Sequence, residues 1–124
     1  MSKILVIDDE QGLRNLLDTL LSRKGYEVIL ADSGRKGLDL FRREHPDAVV
    51  LDLKMPEMDG VTVLKQLRSA DQKLPVIVLT GAGTPEIEQQ VYALGVTEFV
   101  KKEFSLHHLG DSLKRHLQIP RTAA

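Results

Sequence analysis

The sequence predicts a doubly wound α/β domain, a five-stranded parallel sheet with five helices covering both faces. Three observations predict it. Short runs of branched aliphatic residues recur along the chain, with the composition of parallel strands buried on both sides. Between these runs, apolar residues recur at helical spacing. Capping residues, glycines and prolines punctuate the joins. Strict alternation of strand and helix, joined by right-handed crossovers, packs as helices on both faces of one sheet.

The first strand is Ile4-Leu5-Val6-Ile7. Leu13, Leu16, Leu17, Leu20 and Leu21 follow at i, i+3, i+4, i+7 and i+8, an amphipathic helix that ends at Gly25. Glu27-Val28-Ile29-Leu30 is the second strand. Ser33 is placed to cap a helix that buries Leu38 and Phe41 and stops before His45-Pro46, because the residue ahead of a proline is pushed out of the helical region. Ala48-Val49-Val50-Leu51 is the third strand, and Asp59-Gly60 opens a helix through Val63, Leu64 and Leu67. The fourth strand is Val76-Ile77-Val78-Leu79. Thr84 and Pro85 supply a cap and a first-turn proline to a helix that turns Ile87, Val91 and Leu94 inward and stops at Gly95. Phe99-Val100 is a short fifth strand. Ser105 caps the last helix, with Leu106, Leu109, Leu113 and Leu117 on one face, weakened at Gly110 by roughly 1 kcal/mol relative to Ala. Pro120 ends the fold, which gives a domain over 1–119 and a tail or linker stump over 120–124. Periodicity alone leaves the strand order open.

At 124 residues the chain is large enough for one domain with a sizeable core. Seventeen Lys and Arg against eighteen Asp and Glu give a net charge of -1, so bulk charge points to neither nucleic acid nor an anionic membrane as a partner. No apolar stretch approaches a membrane span, and Met1-Ser2-Lys3 runs into a strand without room for a signal peptide. Cysteine is absent, which excludes disulfides and thiolate metal sites and is compatible with a reducing cytoplasm. The expectation is a soluble cytoplasmic domain. His45, His107, His108 and His116 do not make a metal set, since His107 and His108 are adjacent and point apart on a helix.

The polar residues that end the strands carry the chemistry. Asp8 and Asp9 follow the first, Asp52 the third, Thr80 the fourth and Lys102 the fifth. In an open parallel sheet this is the edge where the ligand crevice forms. Three carboxylates crowded there repel one another unless a cation joins them, and Mg²⁺ suits one or two carboxylates, waters and a phosphate. A carboxylate such as Asp52 is a competent nucleophile towards phosphorus when a metal offsets both charges. Thr80 precedes Gly81-Ala82-Gly83, small residues that let backbone and hydroxyl approach a phosphate closely. Lys102 is a point-charge partner for phosphate. Taken singly, each residue has a plainer reading: an acidic helix start, a loop aspartate, a strand-end threonine, a solvated lysine. Their matching positions make the set informative.

These residues stand in segments that resemble the receiver domain of two-component response regulators: Ile4-Leu5-Val6-Ile7-Asp8-Asp9-Glu10, then Pro46 to Pro56 with Met58-Asp59-Gly60, then Pro75 to Gly81, and Phe99-Val100-Lys101-Lys102. The resemblance covers Lys3 to about Leu117 and implies a flavodoxin-like sheet of order 2-1-3-4-5. It implies Asp52 as phosphoacceptor from a phosphohistidine on a sensor histidine kinase or phosphotransfer protein. It implies Mg²⁺ held by Asp9, Asp52 and the backbone carbonyl of Lys54, with Asp8 acting through a water. Thr80 would donate to the phosphoryl group and Lys102 pair with it, while Phe99 would turn inward as Thr80 moves, changing the surface of the fourth helix, fifth strand and fifth helix. Such a protein is a switch and not an enzyme, apart from self-phosphorylation and self-dephosphorylation.

The chain departs from the family pattern at Glu103, where proline usually follows the lysine through a cis bond. A non-proline cis bond costs roughly 2.5–4 kcal/mol, so a rearranged trans loop or a strained cis bond is expected there. Lys54 and Ala82 occupy positions that in the family flank the route of attacking water. An aspartate-nucleophile phosphatase is the competing enzyme reading, and such enzymes carry a second aspartate where Lys54 stands. The other competitor is a receiver that has lost phosphorylation and acts as an interaction module; the intact Asp8, Asp9, Asp52, Thr80 and Lys102 set argues against it. Kinase, output partner and oligomeric state are not legible.

Overall fold

A computed structural model of the chain describes residues 2–81, 84–101 and 111–115. The strands are β1 (Lys3–Ile7), β2 (Glu27–Ala31), β3 (Ala48–Leu51), β4 (Val76–Thr80) and β5 (Glu98–Lys101). They form one parallel sheet of order β2-β1-β3-β4-β5. The connections carry α1 (Gln11–Arg23), α2 (Gly34–Glu44), α3 (Gly60–Ala70) and α4 (Pro85–Ala93), and residues 111–115 are helical. The doubly wound fold and its strand order are as expected. Ser105, Leu106, Leu109, Gly110, Leu117 and the 120–124 tail lie outside the described residues.

Alternation along each strand sends successive side chains to opposite faces, and both faces are covered. Leu5, Ile7, Val49, Leu51, Val76 and Val78 pack with Val63, Leu64, Leu67 and Val91 on the side of α2, α3 and α4. Ile4, Val6, Val50, Ile77, Leu79 and Val100 pack with Leu17, Leu21 and Leu113 on the other. Ile4 to Ile7 are wholly buried, each contributing about 1.5–3 kcal/mol by transfer from water.

The helix boundaries follow from side-chain chemistry. Ser33 accepts from the Lys36 N–H at 3.2 Å, Asp59 from the Thr62 N–H at 2.9 Å and Thr84 from the Ile87 N–H at 3.2 Å; caps of this kind are worth about 1 kcal/mol each. Gly25, beyond the end of α1, takes a φ of 94°, a conformation that favours glycine. Leu16 shares the helical spacing of Leu13, Leu17, Leu20 and Leu21, yet it is 44 % exposed. It lies about 100° around the helix from buried Leu17, beyond the strip that the sheet covers.

This architecture places the ends of β1, β3 and β4 at one edge. The chain leaves β1 towards β2 on one side, whereas β3 lies on the other. A crevice opens where crossovers diverge in this way.

Candidate functional site

β1 and β3 meet through the backbone immediately before their acidic residues. The Asp52 N–H donates to the Ile7 carbonyl at 2.9 Å, and the Asp8 N–H to the Ala31 carbonyl at 3.1 Å. Asp8 and Asp52 are almost fully buried, at 2 % and 3 % exposure, while Asp9 is exposed. Asp8 Oδ1 accepts from the Glu10 N–H at 2.9 Å, and Asp52 Oδ1 from the Lys54 N–H at 3.3 Å. One carboxylate oxygen from each of Asp8, Asp9 and Asp52 lies within 4.8 Å of the others.

Thr80, buried at the end of β4, joins them. It lines an open cleft of about 680 Å³ together with Asp9, Glu10, Asp52, Lys54, Met55, Pro56 and Gly81. Leu53 and Met55 turn into the core while Lys54 is exposed beside the cleft. The loop after Asp52 is held by Gly60, whose N–H donates to the Leu53 carbonyl at 2.9 Å. A Cβ at Gly60 would stand 2.4 Å from the Asp52 carbonyl oxygen and 2.5 Å from Leu53 Cα, so glycine is required for this close approach.

Three carboxylates gathered in one place, two of them out of water, repel one another when charged. A cation with a preference for oxygen donors relieves this, and an all-oxygen set suits Mg²⁺, Ca²⁺ or Mn²⁺ rather than softer metals. The cluster can therefore bind a metal ion beside a buried hydroxyl and a carboxylate that faces an open cleft.

The structure brings Asp8, Asp9 and Asp52 together, with Thr80 lining the same cleft as Asp9 and Asp52. Phe99 is half-buried against the apolar cluster on the α4 side, opposite Val78 in the β4–β5 register. Lys102, Glu103, Ala82, His107, His108 and His116 lie outside the described residues; so does the Lys102–Glu103 peptide bond. His45 precedes β3 and so sits at the opposite edge of the sheet. Two neighbours of the cluster were not singled out. Glu10 lines the cleft, and Arg14 Nη1 donates to the Asp8 carbonyl at 2.8 Å. A basic residue in the first turn of a helix, against the macrodipole, is the signal that could have drawn attention to Arg14. Among the described residues, no helix is long and apolar enough to cross a membrane.

The response regulator receiver domain family matches residues 4–114. The chain is 35% identical over 117 residues to sporulation initiation phosphotransferase F of Bacillus subtilis, covering 94% of each. It is 38% identical over 119 residues to the regulatory protein AtoC of Escherichia coli, covering 96% of this chain and 26% of that protein. With the response regulator MprA of Mycolicibacterium vanbaalenii it shares 43% identity over 109 residues, 86% of this chain and 46% of that one. The chain thus spans about a quarter of AtoC and less than half of MprA. Among solved structures, the chemotaxis protein CheY4 of Vibrio cholerae superposes with a TM-score of 0.88 at 32% identity, over 94% of this chain and 99% of that chain. A response regulator receiver domain from Clostridium thermocellum gives 0.89 at 30% identity, over 95% of each chain.

Proposed function

The chain belongs to the response regulator receiver domain family, and from that premise we propose that it is a phosphoryl-accepting switch of a two-component system, with Asp52 as the acceptor. The observation that carries this reading is the convergence of Asp8, Asp9 and Asp52 with buried Thr80 at the edge of one cleft.

A carboxylate oxygen of Asp52 attacks the phosphorus of a phosphohistidine on a sensor kinase or phosphotransfer protein. The P–N bond breaks, its electron pair leaves with the imidazole nitrogen, and an aspartyl phosphate forms. The Lys54 N–H, already hydrogen-bonded to Asp52 Oδ1, orients the attacking carboxylate. Thr80 donates its hydroxyl to the phosphoryl oxygens, and Lys102 supplies their ion-pair partner. The oxygen donors fit Mg²⁺, which Asp8, Asp9, Asp52 and the Lys54 carbonyl would hold; when bound it supplies positive charge against the carboxylates and the phosphoryl group. The protein turns over no external substrate beyond its own phosphorylation and dephosphorylation. The new charge at Asp52 draws Thr80 towards it and releases Phe99 to turn inward. The surface of α4, β5 and the helix containing residues 111–115 then presents a different face to an output partner.

The test is intact mass after incubation with Mg²⁺ and a small phosphoryl donor, for the wild type and Asp52→Ala. The expected result is one phosphoryl group gained by the wild type alone and only with Mg²⁺. No gain by a folded wild type that still binds Mg²⁺ would replace this reading with a phosphorylation-independent interaction module.

A further inference from the structure

We propose that Arg14 is a positioning residue for the acidic site: its guanidinium clamps the Asp8–Asp9 peptide so that the three carboxylates stay converged before a cation arrives. The inference rests on the reading of this site as a metal-dependent phosphoryl acceptor.

Arg14 Nη1 donates to the Asp8 carbonyl at 2.8 Å. That carbonyl belongs to the peptide joining Asp8 to Asp9, so its direction sets the course on which Asp9 leaves β1. Two further bonds tie the same turn, from the Asp8 N–H to the Ala31 carbonyl and from the Glu10 N–H to Asp8 Oδ1. Asp8 is anchored by burial as well. Asp9 is exposed, and its placement is inherited from this peptide. Groups that orient metal ligands from one shell away act in this manner.

Glu10 and Asp18 stand four residues either side of Arg14 on the helix and favour a cation there, yet its guanidinium reaches out of the helix to the Asp8 carbonyl. Arg14 stands in the first turn of α1, where the macrodipole disfavours a cation. The turn from Gln11 to Arg14 itself holds no acidic residue. Against the macrodipole, the guanidinium takes the backbone of the acidic turn as its hydrogen-bond partner. The guanidinium also repels an incoming cation, but it is only partly buried, and water screens that repulsion. A hydrogen bond of fixed geometry is not weakened in the same way, so loosening of the turn is the larger effect when Arg14 is removed.

The experiment measures Mg²⁺ affinity of the full chain by titration calorimetry, and phosphoryl uptake from a small donor as a function of Mg²⁺, for the wild type, Arg14→Ala and Arg14→Gln. Thermal unfolding without metal checks that each variant is folded. The expected result is a loss of about tenfold in Mg²⁺ affinity in both variants, the usual cost of removing a ligand-orienting group. Uptake should then shift to higher Mg²⁺ concentration and reach nearly the wild-type plateau, a pattern that general destabilisation does not produce. If Arg14→Ala does not fold, Arg14→Gln, whose shorter side chain lacks the guanidinium, carries the same expectation. Unchanged or tighter Mg²⁺ binding in a folded variant overturns the inference, as does a lost plateau with affinity intact. A wild type that takes no phosphoryl group at Asp52 removes the parent reading and this inference with it; phosphorylation of the wild type with unaltered affinity in the variants removes this inference alone.

Discussion

Phe99 and Thr80 share one face of the sheet on adjacent strands, one pleat apart: Phe99 stands opposite Val78 and Thr80 opposite Lys101 in the β4–β5 ladder. Phe99 packs in the cluster that contains Val78, Ile87 and Val91, and its N–H donates to the Tyr92 hydroxyl of α4 at 3.3 Å. A displacement at Thr80 therefore borders an aromatic side chain whose own backbone is tied to α4.

Thr80→Ala is expected still to take up a phosphoryl group at Asp52, more slowly without the hydroxyl donor, and to transmit it less to α4. The measurement is the change in amide chemical shifts of Tyr92 and Phe99 on phosphorylation. Wild-type protein should show a clear change and the variant a smaller one; equal changes would remove Thr80 from the coupling. The variant should lose about 1 kcal/mol of stability with its buried hydroxyl.

Two glycines should respond to alanine with opposite signs. Gly60→Ala drives a methyl group against the Asp52 carbonyl oxygen and Leu53 Cα, backbone atoms that have no easy retreat, and should cost about 1–3 kcal/mol in urea denaturation. Because the strain falls on Asp52, cation affinity should drop in the same variant. Gly12 lies in the first turn of α1 with nothing within 4 Å of an added Cβ. Gly12→Ala should stabilise by up to about 1 kcal/mol, by restricting the unfolded chain and improving helix propensity.

Ser112 is fully buried, and its Oγ has no hydrogen-bond partner among the described residues. An unpaired buried hydroxyl has lost its hydration without replacement, at a cost of about 1–3 kcal/mol. Ser112→Ala is expected to raise stability by about 1 kcal/mol, read as a higher urea midpoint at unchanged slope. A lower midpoint would show that the hydroxyl is satisfied.

Burial pushes the Tyr26 phenol above its ordinary value of 10.0, because desolvation disfavours the phenolate. The unfolded chain then releases its proton at lower pH than the folded one. Above pH 10 the unfolded state binds fewer protons, so stability falls as pH rises. The contribution is fully present below pH 10 and is lost as pH climbs through the raised value. Tyr26→Phe should lack this part of the decline when urea midpoints are compared across the alkaline range. Identical profiles would place the phenol in water.

Features that local chemistry decides are legible in the sequence. Ser33, Asp59 and Thr84 cap their helices because a short oxygen-bearing side chain reaches an N–H three residues on, whatever surrounds it. The apolar runs became buried strands because they leave no polar face to show to water. The polar residues that end those runs pointed to the site, since every parallel strand ends at the same edge. Strand order was not legible in periodicity, because equally buried strands carry no mark of their neighbours; it came with the resemblance of the motifs to a family. Other features depend on long-range packing. It exposed Leu16, which repeats at helical spacing like Leu17 but lies outside the strip covered by the sheet. It brought Arg14 to the Asp8 carbonyl and Phe99 to the Tyr92 hydroxyl. Those contacts depend on how α1 and α4 settle against the strands, and that placement is a sum over the packing of the whole core, which no local pattern records.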